Sequence, residues 1–389
     1  MFFMTGGGFA IGGINIPWQM PTGWVERSQS HIIVTINYRL GIFGFPHARG
    51  LSGEAFSQNL GILDQRMALE WVRDNIAAFG GNPQRITQWG RSAGGRSADV
   101  HAYAYHEDSI AQGYWLQSGL ATGGHLDDPL FSNFSFIARN LGCESKSLQD
   151  DEEEAARYEL DCMRQISFIE IVNFVGKYMD SHEEPPIAFS TMVDGKIIYD
   201  NYENRSEAGL VANRPVIISS TSNEFGSLWP WPADNLTAGP PQDEIDAWNI
   251  ENSCRAFETT RMRNALDIPV FRFQYAGVFP NLNVYDWLGA YHASDIPPSF
   301  GTYHLMDHIA PSTQLQKDTS LAMQDAVAAF VQDPYEGPQK EFGWKPMDTS
   351  EPGGGVLMRL GAGGKAVQFI DGVEVDGVCE GKGEYDSFP

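Results

Sequence analysis

The sequence predicts an α/β fold in which a mostly parallel central sheet is flanked by helices. Two observations carry that expectation. Short β-branched or aromatic runs recur at 1–4, 32–38, 85–89, 114–117, 215–220 and 269–275, and most are nearly continuous in apolar character, as strands buried on both faces are. Between them lie stretches of helical periodicity, clearest from Leu60 to Phe79 and from Leu321 to Val331. Strands separated by helices make parallel sheets with helices on both faces.

In chain order, the run Met1 to Met4 reads as a buried strand that empties into Thr5-Gly6-Gly7-Gly8-Phe9. Three glycines could cradle a nucleotide phosphate, but neither G-x-x-x-x-G-K-[ST] nor G-x-G-x-x-G is present. The alternative is a loop whose bare N–H groups point at a developing oxyanion. Ile32 to Tyr38 is a second strand. The helix from Leu60 carries an apolar stripe of Leu63, Met67, Leu69, Trp71, Val72 and Ile76, and Gly80-Gly81-Asn82-Pro83 stops it.

A strand over Arg85 to Trp89 then meets Gly90-Arg91-Ser92-Ala93-Gly94, a G-x-S-x-G, and Ala93 opens a helix-compatible run through His106. A strand turning sharply into a helix holds a serine in a strained, exposed position, which is the nucleophile elbow of an α/β-hydrolase. Tyr114 to Gln117 is the next strand. An irregular excursion follows over about 125–215, with an acidic run from Asp150 to Glu154 that reads as a solvated loop or helix start. The strand Pro215 to Ser220 delivers Asn223-Glu224-Phe225-Gly226, and a proline-rich loop occupies Pro230 to Pro241. Pro269 to Tyr275 reads as the last clear strand, followed by Leu288 to Pro297 with His292. The tail over about 347–389 is glycine-rich and reads as mostly surface. No internal repeat and no clean linker is visible, so one domain is expected over 1–389.

Ser92, Glu224 and His292 follow one another in the order that α/β-hydrolases use, each just after a predicted strand. The chemistry needs these types. Serine is a poor nucleophile until a base takes its proton, histidine serves near neutral pH, and a buried carboxylate fixes its tautomer. Other histidines compete less well. His304 and His308 are spaced as a helical metal pair but lack a third ligand, and His101 and His106 read as packing or surface residues. No metal and no cofactor is expected.

Composition narrows the partners. The chain has 26 basic and 50 acidic residues, a net charge of −24, which disfavours nucleic acid. No apolar run approaches the roughly 20 residues that span a bilayer. The four cysteines, Cys143, Cys162, Cys254 and Cys379, form no C-x-x-C, so zinc-ribbon and thioredoxin-like sites are not expected. Sequons at Asn133, Asn204 and Asn235, with the even cysteine count, lean towards a secretory history. Met1-Phe2-Phe3-Met4 has neither the basic nor the long apolar region of a signal peptide.

The segments TGGGFAIGG, NYRLGIFGF, NLGILDQRMALEWVRDNIAAFGGNPQRIT, GRSAGG, LQSG, NEFG and GAYHASDIPPSFGTY occur in this order. Together they resemble the type-B carboxylesterase/lipase family, which includes the cholinesterases, and YAGVFPN resembles its secreted fungal esterases. The likeness covers roughly 1–335 and extends weakly to Cys379. It implies a serine carboxylic-ester hydrolase with an acyl-enzyme intermediate, acting on a small-molecule or lipid ester and secreted. Ser92 matches the family's nucleophile, Glu224 its acid and His292 its base. Gly7, Gly8 and Ala93 match the oxyanion-hole donors, and Cys143–Cys162 and Cys254–Cys379 match family disulfides, the first worth about 3 kcal/mol in loop entropy.

Three departures stand out. Arg91 precedes the nucleophile where the family usually carries Glu or Gln; it is expected either to pair with a carboxylate or to favour acidic substrates. Thr5 stands where histidine or tyrosine is common. The family's signal peptide, early strands and part of one pocket wall have no counterpart before Met1, so a truncation or misplaced start is expected, with early strands missing from the sheet. The rival reading is a non-catalytic cholinesterase-like interaction domain or an inactive fragment.

Overall fold

The computed structural model describes residues 1–53, 57–126, 128, 130–144, 151–232 and 234–389. Eight strands form one sheet: β1 (Phe2–Met4), β2 (Val34–Ile36), β3 (Thr87–Arg91), β4 (Gly113–Gln117), β5 (Val216–Thr221), β6 (Val270–Tyr275), β7 (Val356–Leu360) and β8 (Val367–Asp371). Their order is β2-β1-β3-β4-β5-β6-β7-β8. Every neighbouring pair is parallel except β7 with β8, which is antiparallel. The fold is that of an α/β-hydrolase.

Strand period two sorts the side chains onto two helix-covered faces. Phe2, Met4, Tyr114, Leu116, Val216, Ile218 and Val270 point into one apolar cluster. Phe3, Trp89, Trp115, Ile217, Phe271 and Phe273 point into the other. In the second, the Trp89 and Trp115 rings stack at 4.5 Å on adjacent strands, and Phe300 closes on Trp89 at 4.7 Å. Both faces being apolar explains why the strands read as continuous runs rather than alternating ones.

Three expectations need correction. The tail after 347 is not surface throughout: Leu357, Met358 and Leu360 are buried in β7, which extends the sheet beyond β6. Its flanking glycines hid a strand of only five residues. The helix Leu60–Asn75 forms, but Leu63, Met67 and Trp71 face solvent while Ile62, Gln65, Arg66, Leu69 and Val72 face inward. The buried stripe contains polar residues with partners, Gln65 donating to Ser97 and Arg66 meeting Glu70 and Asp108, so apolarity alone placed Leu69, Val72 and Ile76 rightly and Leu63, Met67 and Trp71 wrongly.

The excursion is also more regular than expected. It holds helices Ser132–Asn140, Glu152–Met163 and Phe168–Asp180 around their own apolar cluster of Phe134, Ile137, Met163, Ile171 and Tyr178. Cys143 and Cys162 are bonded across it, 19 positions apart. Of the acidic run, Asp150 lies outside the described residues. Asp151 caps the helix by accepting from the Glu154 N–H, and Glu152 to Glu154 fill its first turn, where the helix dipole favours negative charge. Cys254 and Cys379 join the long helix Gln242–Asn264 to the tail, 125 positions apart.

Candidate active site

The elbow is built as its sequence implies. β3 ends at Arg91, the helix Ala93–Ala104 begins one residue after Ser92, and Ser92 sits between them at φ 57, ψ −121. A positive φ on a residue with a Cβ costs of order 1–3 kcal/mol and persists only where surroundings enforce it. They do so here: the Ser92 N–H donates to the Gln117 carbonyl at 2.7 Å, and the Ser92 carbonyl accepts from Arg96 at 2.8 Å. Gly94 lets the elbow press against β1, since a Cβ there would lie 2.0 Å from the Met4 carbonyl oxygen.

Ser92 and Glu224, just past β3 and β5, converge with His292, which lies on the long connection after β6. His292 Nε2 lies 2.9 Å from Ser92 Oγ, and His292 Nδ1 lies 2.5 Å from Glu224 Oε2. The network assigns Nδ1–H as donor to the carboxylate and the serine hydroxyl as donor to Nε2. Glu224 is 3% exposed. Its other oxygen accepts from Ser118 Oγ at 2.5 Å and from the Thr221 N–H at 2.8 Å. Asn223 ties acid loop to base loop: its N–H donates to the Ala290 carbonyl at 2.9 Å and its amide to the Leu288 carbonyl at 2.9 Å. A second row of bonds backs the acid loop. Asn249 donates to Asn223 at 2.8 Å and to Ser387 Oγ at 2.9 Å, the Ser222 hydroxyl donates to the Ser387 carbonyl, and Tyr385 donates to the Ser222 carbonyl.

Burial raises the Glu224 carboxyl, but the charge and hydrogen bond of His292, with those of Ser118 and Thr221, outweigh it and hold it below the ordinary value. Burial lowers His292, and the nearby Arg91 charge lowers it further, against the pull of Glu224. Both directions describe one resting state, a charged carboxylate beside a neutral imidazole, which is the form in which histidine accepts a proton. Asp295 is pushed up to about 6 by burial and by the Glu224 charge.

Gly7, Gly8 and Ala93 border the same cleft, whose volume is about 580 Å³. Their N–H groups donate to no acceptor among the described residues. Gly7 holds φ 130, and a Cβ there would fall 2.2 Å from the Ile11 carbonyl oxygen. Thr5 is buried and donates to Gln19 at 3.0 Å, so the small residue packs inward beneath the loop.

The other candidates fall elsewhere. His101 is buried, accepts from Gln88 at 2.7 Å, and is pushed down to about 3 by burial. His304 and His308 are exposed, and each donates from Nδ1 to the backbone carbonyl three residues earlier. No group of His, Cys, Asp and Glu fit for a metal ion occurs among the described residues. Asn204 and Asn235 are exposed, whereas Asn133 is half-buried in its helix. No helix among the described residues is long and apolar enough to cross a membrane.

Sequence reasoning missed Ser118, Arg96 and Arg255. Ser118 stands at the end of β4, on the edge that carries Ser92 and Glu224, and its place in LQSG was the available signal. Arg96 and Arg255 line the cleft with Arg91, and nothing in their local sequence marks them. Arg91 makes no hydrogen bond or ion pair with a described residue, and its Nε is buried without a partner. The expected carboxylate pairing is therefore not made.

The carboxylesterase family model matches residues 1–244. Secreted lipase 5 of Gibberella zeae is 35% identical, over 97% of this chain and 70% of that protein. Chlorogenic acid esterase of Aspergillus niger is 36% identical, over 97% of this chain and 72% of that protein. A solved structure of a PNB esterase matches with a TM-score of 0.74 at 23% identity, over 95% of this chain and 77% of that one, a likeness of fold. The chain belongs to the carboxylesterase family. It is a carboxylic ester hydrolase, and its substrates are esters.

Proposed function

We propose that the hydrolysis runs through a Ser92–His292–Glu224 triad and an acyl-enzyme. Ser92 Oγ attacks the ester carbonyl as its proton passes to His292 Nε2. The tetrahedral oxyanion is held by the N–H groups of Gly7, Gly8 and Ala93. The imidazolium, steadied by Glu224, gives its proton to the leaving alcohol, and a water activated by the same imidazole releases the acid. Ser118 and Thr221 keep Glu224 ionised and aimed. The observation that carries this reading is the unbroken chain from Oγ to Nε2 at 2.9 Å and from Nδ1 to the carboxylate at 2.5 Å.

The test is labelling with a fluorophosphonate and mapping of the adduct by mass spectrometry. The label is expected on Ser92 and lost in His292→Ala, with kcat falling by roughly 10⁴-fold or more. Folded protein that takes no label would overturn the assignment of Ser92 as the nucleophile. A secreted location is part of the same reading, supported by two disulfides and by the name of the Gibberella relative. So is one domain over 1–389, supported by a single sheet that draws strands from residue 2 to residue 371.

A further inference from the structure

The wall of the cleft is cationic in a strongly anionic protein. Arg91 and Arg96 flank the nucleophile, one before it and one on the first turn of the helix that follows, and Arg255 reaches the same cleft from the helix Gln242–Asn264. Among the described residues that line the cleft, the one acid is Glu224, already engaged by His292, Ser118 and Thr221. Arg96 is pinned along the wall. Its Nη1 donates to the Gly124 carbonyl at 2.6 Å, and a Cβ on Gly123 would fall 2.3 Å from its Nη2. No carboxylate pairs with it among the described residues. Arg255 pairs with Glu251 one turn back and is partly exposed. Arg91 has a buried Nε with no partner.

Burying a cation without a counter-ion is costly unless something else supplies the charge. Arg91 and Arg96 are half-buried and form no ion pair with a described residue, and Arg255 joins them on the cleft wall, so an anion entering the cleft would relieve the mutual repulsion of Arg96 and Arg255. That repulsion, after burial, helps bring Arg96 down to about 10. Guanidinium groups are also the side chains whose geometry suits a carboxylate.

We propose that this cleft selects esters that carry a carboxylate of their own, held by Arg96 and Arg255 while Arg91 adds positive field at the reacting centre. The inference rests on the ester-hydrolase reading above and gives it a substrate class. The carboxylate can sit on the acid side or on the alcohol side of the scissile bond, and matched pairs distinguish the two. Mono-4-nitrophenyl adipate is compared with 4-nitrophenyl hexanoate, and 4-acetoxybenzoate with 4-acetoxybenzamide, after subtraction of uncatalysed hydrolysis.

In at least one pair, kcat/KM is expected to favour the anion by about tenfold or more at low salt. That ratio should fall about tenfold in Arg96→Gln and in Arg255→Gln, and shrink at about 0.5 M salt. Ratios at or below one in both pairs, or an anion preference that survives both substitutions, would overturn it. Should Arg96→Gln fail to fold, the partly exposed Arg255 carries the test alone. If no ester turns over and Ser92 takes no label, the hydrolase reading fails by itself. The cleft is then decided by whether adipate raises the melting temperature of the wild type and not of Arg255→Gln.

Discussion

Arginines stand in two settings, wholly buried and half-buried, and the fold treats them oppositely. Beneath the sheet, Arg263 meets Asp99 and Arg272 meets Asp376, with all four side chains almost wholly buried. Each acid is held again, Asp99 by the Ala121 N–H at 2.7 Å and Asp376 by Ser253 at 2.9 Å. Around Ser92, Arg91 and Arg96 form no ion pair with a carboxylate among the described residues, although the charges of Glu224 and Asp295 reach Arg91. The consequences have opposite sign. Burial lowers Arg263, but Asp99 outweighs it and the net shift is upward, whereas burial lowers Arg91 against the opposing charges of Asp295 and Glu224, lowers Arg96 against Tyr202, and prevails in both. Where a charge serves architecture, the chain supplies its counter-ion; where it faces the cleft, the place is left to a visitor.

The sharpest way to break this contrast is to remove one structural acid. Asp376→Asn and Asp99→Asn should each cost about 3–5 kcal/mol in denaturant unfolding, because a buried guanidinium is left alone. A loss below about 1 kcal/mol in both would show that the paired arginines are no different from the unpaired ones.

Asp295 tests the same rule with the sign reversed, since it is an acid whose neutral form the interior prefers. Its folded value of about 6 lies above the unfolded value of 3.8. Between them the native state binds more protons, so stability falls as pH rises through that window and the penalty is complete above it. Asp295→Asn should stabilise the protein by on the order of 2 kcal/mol near pH 8 and by almost nothing near pH 4. Equal effects at both pH values would assign the change to packing.

Arg96→Gln should sharpen the comparison by doing little, leaving unfolding free energy within about 1 kcal/mol or raising it, since no ion pair is broken. The smallest effect is kinetic. Arg91 lowers His292, so Arg91→Gln should move the acidic limb of the kcat/KM profile upward by less than about one pH unit. An unmoved or downward limb would mean that the Arg91 charge is not felt at the imidazole.

The contrast also marks what the sequence could show. The candidate positions Ser92 and Glu224 were legible because each follows a strand whose run is apolar on both faces and the elbow needs glycine at fixed offsets, whereas His292 lies well past the end of β6 and was legible through the resemblance of its segment. β7 was not, because its five residues lie among glycines that local reading assigns to loops. The inward face of Leu60–Asn75 was hidden by Gln65 and Arg66, whose burial depends on partners elsewhere in the chain. Arg96 and Arg255 lie 159 positions apart (255 − 96), and only the folded sheet edge brings them to one wall.

The bonds behind Glu224 set a timetable. Ser222 is held by Tyr385 across 163 positions and by Ser387 across 165. At ribosomal speeds of about 5–20 residues per second, the acid loop emerges roughly 10–30 s before the residues that brace it. The sheet can be laid down in that interval with Ser92 already in its turn, so the molecule acquires its shape before its chemistry, and catalytic competence becomes a late event in the life of each newly made chain.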